Sequence, residues 1–261
     1  MKASFTKFTW LLCLCFLAQV SNAFETNSHS GAGLNLIPMY GYPHIEKPDW
    51  YKKADEAFIR CLLVEASAAQ NPAEEDKGCD HSFLTREDAS KHIARLGWNY
   101  FHKGDYSTAM KRFNQTWLLN PNNYAAFWGF GLLLSKQDKL AESISYFERS
   151  LSLVDSQDKD RLYVLNDAAN AYSTLANNET DKAKAQAFFA KANVLLEEAV
   201  NSDPQNGKSY INWAISLYFQ GDYLRAWKMV KKSRSLKDCG CADAKTFVET
   251  ALSKVMPEPQ D

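Results

Sequence analysis

Apolar and small residues recur with a period of 34 positions through the middle of the chain. Shifting the sequence by 34 against itself aligns Leu96-Gly97 with Phe130-Gly131, Tyr100 with Leu134, and Phe113 with Phe147. Within each period the apolar positions are spaced by three and four, as on one face of a helix. The pattern therefore predicts a repeated unit made of two helices.

The residues of this period resemble the tetratricopeptide repeat (TPR), which has Leu-Gly-x2-Tyr in its first helix, Ala-x3-Phe in its second and a terminal Pro. The first repeat carries the pattern most completely, in Leu96, Gly97, Tyr100, Ala109, Phe113 and Pro121. The resemblance implies an all-α, right-handed α-solenoid of about four repeats. We place the repeats at residues 90–123, 124–157, 162–206 and 207–236. Gly97 is expected where two helices nearly touch.

The third repeat is longer than the others, with extra residues around positions 176–186. Ala169 and Ala214 hold equivalent places in successive repeats but lie 45 residues apart instead of 34. We expect a loop at 177–181, with Thr180 or Asp181 capping a long second helix.

Residues 1–23 have the pattern of a secretory signal peptide. Lys2 and Lys7 are followed by a short apolar run, and Ser21 and Ala23 form a small-residue cleavage site. The run is shorter than the ~20 apolar residues that span a bilayer. We expect cleavage after Ala23, export to a periplasm or to the medium, and no transmembrane segment in the mature chain. The competing interpretation is a buried N-terminal helix.

Two flanks enclose the repeats. Residues 24–85 are predicted to hold an extended segment, with an apolar-aromatic stretch from Leu34 to Tyr42, and one helix that begins at Asp49. A run at 53–59 in this helix resembles one in small secreted or periplasmic TPR proteins of bacteria. Thr85 and Asp88 resemble a capping box. Residues 237–261 are predicted to form a capping helix at 242–255 and a disordered tail.

Composition and motifs weigh against several function classes. The chain has 30 Lys and Arg against 31 Asp and Glu, a net charge of −1. This balance gives no bulk electrostatic case for nucleic acid or an anionic membrane. Phosphate-loop, H-E-x-x-H and G-x-S-x-G motifs are absent from the sequence. We therefore predict no enzyme activity, no catalytic residue and no cofactor.

Four cysteines remain after signal cleavage: Cys61, Cys79, Cys239 and Cys241. An even number in an exported chain favours disulfides, and four cysteines allow three connectivities. One of these would join Cys61 to Cys79. The alternative is a metal- or thiol-handling envelope protein, because Cys239-Gly240-Cys241 offers two soft thiolates.

In the TPR family the first helix of each repeat lines a concave groove. The family positions give these candidate ligand-binding residues: Trp98, Phe101, Trp128, Leu132, Tyr163, Asn166, Asn170 and Tyr218. Aromatic side chains act as anchors, and Asn amides can hydrogen-bond an extended peptide. Trp98 and Trp128 also fit a second interpretation, as core between repeats.

The sequence therefore predicts an exported scaffold that binds a protein or peptide in an aromatic groove. Residues 34–42 would be an aggregation hazard if exposed. We accordingly expect this stretch to fill part of the groove.

Overall fold

A computed structural model describes residues 31–63, 82–236 and 240–260. The predicted signal peptide lies outside them. Within the described ranges every regular element is helical, apart from an isolated bridge between Leu63 and Phe83. The chain divides into two compact units, one ending at Asp155 and the other beginning at Ser156. The fold class is thus all-α, as predicted.

The first unit consists of two packed helix pairs, a flanking helix and two short 3₁₀ helices, Gly31–Leu36 and Pro38–Gly41. The prediction of an extended segment is therefore wrong for residues 31–36 and 38–41. The α-helices of this unit are α1 (Asp49–Leu62), α2 (Arg86–His102), α3 (Tyr106–Leu119), α4 (Tyr124–Lys136) and α5 (Leu140–Leu153). α2 packs against α3, α4 packs against α5, and α3 also contacts α4. Each of the predicted repeats 90–123 and 124–157 contains one such pair.

The second unit has the same organisation. Its helices are α6 (Arg161–Asn178), α7 (Lys182–Ser202), α8 (Gly207–Gln220), α9 (Tyr223–Arg234) and α10 (Ala242–Val255). α6 packs against α7 and α8 against α9, while α10 covers both α8 and α9. Packed neighbouring helix pairs of this kind are the building blocks of an α-solenoid.

Short polar side chains start most of these helices. Thr85 accepts a hydrogen bond from the backbone N–H of Asp88 at 3.0 Å, as the predicted capping box requires. Asp105, Asn123, Asn206 and Asp222 cap α3, α4, α8 and α9 in the same way. These caps satisfy backbone donors that a helix leaves unpaired in its first turn.

The extra residues of the third repeat lengthen both of its helices. α6 has 18 residues and α7 has 21, against 13 and 14 in α4 and α5. The connection is shorter than the predicted loop at 177–181, because α6 continues to Asn178. Asp181 is the cap, and its carboxylate accepts from the N–H groups of Ala183 and Lys184 at 2.8 and 3.2 Å.

Glycines set the distance between helices in the first unit. A Cβ on Gly97 would lie 2.7 Å from the ring of Phe113, and one on Gly129 would lie 2.4 Å from the same ring. Gly131 has the same relation to Phe147, at 2.7 Å. The Gly97 site is therefore a close approach, as predicted.

The apolar-aromatic stretch 34–42 packs against the second helix of the first repeat and is partly buried there. The Asn114 amide donates to the carbonyls of Asn35 and Ile37, at 3.1 and 2.9 Å, and its oxygen accepts from the Tyr40 N–H at 3.4 Å. Tyr40 is 2% exposed, and its ring lies 6.4 Å from that of Trp117. Leu34, Pro38 and Tyr40 are buried, whereas Tyr42 at the end of the stretch is 59% exposed. The prediction that this stretch fills the groove of first helices is wrong, because these contacts all lie on α3.

The same stretch is fastened to α1 by a half-buried cation. Lys47 forms an ion pair with Asp55, and its Nζ lies 3.4 Å from the centre of the Tyr40 ring. Burial lowers the pKa of Lys47, and the hydrogen bond to Asp55 opposes that shift. Burial also raises the pKa of Tyr40. The cluster thus places the Lys47 ammonium between the Asp55 carboxylate and an aromatic face.

The C-terminal tail lies along α9. The Trp227 indole N–H donates to the Met256 carbonyl at 3.0 Å, and Lys231 donates to the Pro259 carbonyl at 2.7 Å. Arg234 forms a bidentate pair with Glu258, both bonds at 2.8 Å. The prediction of a disordered tail is therefore wrong through Pro259, because backbone carbonyls and a carboxylate of the tail meet donors on α9.

Candidate functional site: an aromatic surface on α2 and α4

The first helices of the first two repeats bring four predicted site residues onto one surface. We call Trp98 and Phe101 of α2, with Trp128 and Leu132 of α4, the aromatic surface. The rings of Trp98 and Trp128 lie 4.4 Å apart, and Phe101 lies 5.8 Å from Trp98. Leu132 follows Trp128 by one helical turn, so the two side chains share a face. All four side chains are half-buried.

Trp98 belongs both to the core and to the surface. Its ring lies 5.0 Å from that of the fully buried Phe113, in an edge-to-face arrangement. Trp98 therefore has the inward packing that the core interpretation predicts and also keeps accessible surface, while its role in ligand binding stays a prediction. Core packing fixes the ring in place, which lowers the entropy cost of binding a ligand.

The predicted residues of the second unit differ widely in accessibility. Tyr163 is 47% exposed, and Asn170 is half-buried. Tyr218 is half-buried with its ring 5.2 Å from Phe219, and burial raises its pKa. Tyr163, Asn170 and Tyr218 thus keep surface that a ligand can reach.

Asn166 is buried, and its side chain is hydrogen-bonded within the fold. It is 5% exposed, its amide donates to the Leu162 carbonyl and the Ser209 hydroxyl, and its oxygen accepts from Asn212 at 2.8 Å. Its prediction as a peptide-binding residue is corrected, since these bonds join α6 to α8. Two turns further along α6, Ser173 donates to Ser216 at 2.8 Å.

A sequence signal for this buried polar contact exists. Asn166 and Ser173 are seven residues apart on α6, and Ser209 and Ser216 are seven apart on α8. Matched small polar residues at this spacing face each other across two helices that pack side by side. Asn166 therefore joins α6 to α8, and Asn193 of α7 also bonds to α8, through Trp213 and Gln220.

The disulfide pairing of the four cysteines stays a prediction. Cys61 lies in the last turn of α1 and Cys241 immediately precedes α10, while Cys79 and Cys239 lie outside the described residues. Among the described residues, no group of three or more His, Cys, Asp or Glu side chains is placed to hold a metal ion. No described helix combines the length and hydropathy that a membrane crossing requires.

Comparisons with known proteins agree on the type of fold. The family model for the plant specific mitochondrial import receptor subunit TOM20 matches residues 130–214. The crystal structure of a thermophilic TPR protein from Thermus thermophilus matches with a TM-score of 0.52 and 17% identity, over 64% of this chain and 80% of that one. No curated protein matches the chain. The chain thus carries TPR-like helical repeats.

Proposed function

We propose that this protein is an exported scaffold that binds a protein or peptide ligand through the aromatic surface. The observation that supports this most is the pair of Trp98 and Trp128, 4.4 Å apart, which Phe113 supports from within. Large aromatic side chains dominate the binding energy of many protein interfaces. TPR-like repeats are generally scaffolds, so a binding role accounts for these residues better than catalysis does.

The chemistry of the aromatic surface defines the ligand. Trp98, Phe101, Trp128 and Leu132 carry no formal charge, so the ligand's anchor is an apolar or aromatic side chain. The rings also offer faces to a cation, and a ligand with Lys or Arg beside the anchor gains from this. In the second unit, taken by itself, Tyr163, Asn170 and Tyr218 keep accessible surface and stay predicted ligand-binding residues.

Export is part of the proposal and has its own test. The expected cleavage after Ala23 predicts that the mature protein begins at Phe24. N-terminal sequencing of the protein recovered outside the cytoplasm checks this, and a retained leader would contradict it. In that compartment we expect Cys61, Cys79, Cys239 and Cys241 to be oxidised, which a free-thiol count measures.

A peptide library displayed on phage and selected on the mature protein tests the binding role. We expect the selected peptides to share an aromatic or aliphatic anchor. Leu132→Glu places a carboxylate beside Trp128 and should weaken these peptides about tenfold. The matched control is Val194→Glu, at a site on α7 that is 64% exposed. Equal binding by both variants, each with unchanged helical circular dichroism, would refute the proposed surface.

A further inference from the structure

The helix pair α8 and α9 is strongly basic. Residues 207–236 contain six basic side chains (Lys208, Arg225, Lys228, Lys231, Lys232 and Arg234) and one acidic side chain, Asp222. The whole chain, in contrast, has a net charge of −1. Positive charge is therefore concentrated in this repeat.

Three of these cations share one exposed side of α9. Arg225, Lys228 and Lys232 are separated by three and four residues, and all are exposed, while Trp227 and Val230 bury the opposite side. The Ser233 hydroxyl donates to the Gly207 carbonyl at 3.0 Å, which places the neighbouring Lys208 at the Lys232 end. We call Lys208, Arg225, Lys228 and Lys232 the basic face.

Aromatic rings of α8 position two of the cations. The Arg225 guanidinium lies 5.9 Å from the Trp213 ring, and the Lys232 ammonium lies 6.0 Å from the Tyr210 ring. Both rings are buried. A cation–π contact positions a charge without neutralising it, and of these two cations Arg225 also pairs with Asp222.

Of the three nearby carboxylates, two pair with Arg234 and one pairs with Arg225 of the basic face. Glu249 and Glu258 both pair with Arg234, and Asp222 pairs with Arg225 at 3.4 Å. Within the described part of the second unit, no carboxylate pairs with Lys208, Lys228 or Lys232.

The helix itself does not account for this charge pattern. Cations in the last turn of α9 are favourable beside the helix C-terminus. Lys228, in the middle of the helix, gains nothing from that effect, and like charges four residues apart, as in Lys228 and Lys232, are unfavourable. An external anion would offset the repulsion.

We propose that the basic face binds an acidic segment of a partner protein. Three cations spread over two turns of α9 span about 10 Å, which matches two turns of an acidic helix. A membrane-binding helix would place several large apolar side chains beside its cations. Of the described residues of α9, only Leu224 is a large apolar side chain that is exposed.

Fluorescence anisotropy with a labelled glutamate-rich peptide tests this site on the mature protein. The double variant Lys228→Glu with Lys232→Glu should weaken binding about tenfold. The control, Lys53→Glu with Lys111→Glu, makes the same charge change at exposed sites of α1 and α3 and should change binding less than about twofold. Unchanged helical circular dichroism establishes that each variant is folded.

Several outcomes would overturn the proposal. They are an equal loss in both double variants, no binding of the peptide by the wild type, or tighter binding of anionic vesicles or duplex DNA than of the peptide. Leu132→Glu should bind the acidic peptide as the wild type does. Failure at the basic face is thereby distinguishable from failure at the aromatic surface.

Discussion

Phe113 shows how a single residue fixes the geometry of the first repeats. Its fully buried ring lies between Gly97 of α2 and Gly129 of α4, and a Cβ at either glycine would meet ring atoms closer than 3.0 Å. The ring also supports Trp98 from within. The position of the aromatic surface therefore depends on the lack of a side chain at Gly97 and Gly129 and on the large ring of Phe113.

Gly97→Leu should destabilise the protein by about 1–3 kcal/mol or more, because the new side chain must displace the Phe113 ring in a close-packed core. Thermal unfolding measures the loss. Ala187→Leu is the control, since it adds the same side chain at an exposed helical site on α7. An unchanged melting midpoint for Gly97→Leu would contradict the packing described here.

The raised pKa of Tyr51 predicts that the protein loses stability at alkaline pH. Burial and the nearby Asp55 carboxylate raise the pKa of Tyr51 from 10.0 to about 12. Below pH 10 the ring is neutral in both the folded and the unfolded chain. Between about 10 and 12 the unfolded chain releases a proton that the folded protein retains, so the free energy of unfolding falls as the pH rises.

Urea titrations across this pH range test the assignment. Tyr51→Phe should show a smaller fall in stability than the wild type, because the phenyl ring has no proton to lose. Tyr163→Phe, at an exposed site, should behave as the wild type. The same fall in all three proteins would show that Tyr51 is not responsible.

At the scale of elements, the stretch 34–42 forms part of the core, and the side-chain amide of Asn114 joins it to α3. Asn114 is 0% exposed and bonds to three backbone groups of the stretch. Met39 and Tyr40 have φ of 50° and 56°, values that non-glycine residues adopt at some cost. Burial of Tyr40 and the Asn114 bonds offset that cost, so this is not a loosely held tail.

Asn114→Asp should release this stretch more than Asn114→Ala does. A carboxylate cannot donate to the Asn35 and Ile37 carbonyls, and it would place negative charge against both oxygens. Hydrogen exchange should then rise across 34–42. Lys111→Ala, at an exposed site on the same helix, is the control. Equal exchange in Asn114→Asp and the wild type would show that the amide does not hold the stretch.

For the molecule as a whole, the features that the sequence predicts are those that come from residues recurring at a regular spacing. The all-α class and the two-helix units follow from small and large residues that recur at a fixed interval, as with Gly97 and Gly131. The extended third repeat was predictable from the offset between Ala169 and Ala214. These features could be found because each depends on local spacing.

Contacts between distant residues could not be predicted in this way. Asn114 meets partners 77 and 79 residues earlier in the chain, and no periodic signal joins them. From the sequence, Asn166 looks like an amide that is available to a ligand. Only the structure shows that Ser209, 43 residues later, is its hydrogen-bond partner. The C-terminal tail has no helical pattern, and its order comes from donors on α9. In each case a side chain's partner, and not its type, decides its role.

Hydrogen–deuterium exchange of the mature protein, with and without a library-selected peptide, tests the central claim most directly. If the aromatic surface binds the ligand, α2 and α4 should gain protection, most of all around Trp98 and Trp128, and Leu132→Glu should abolish that gain. Protection confined to α7 or α9, with α2 and α4 unchanged, would contradict the account.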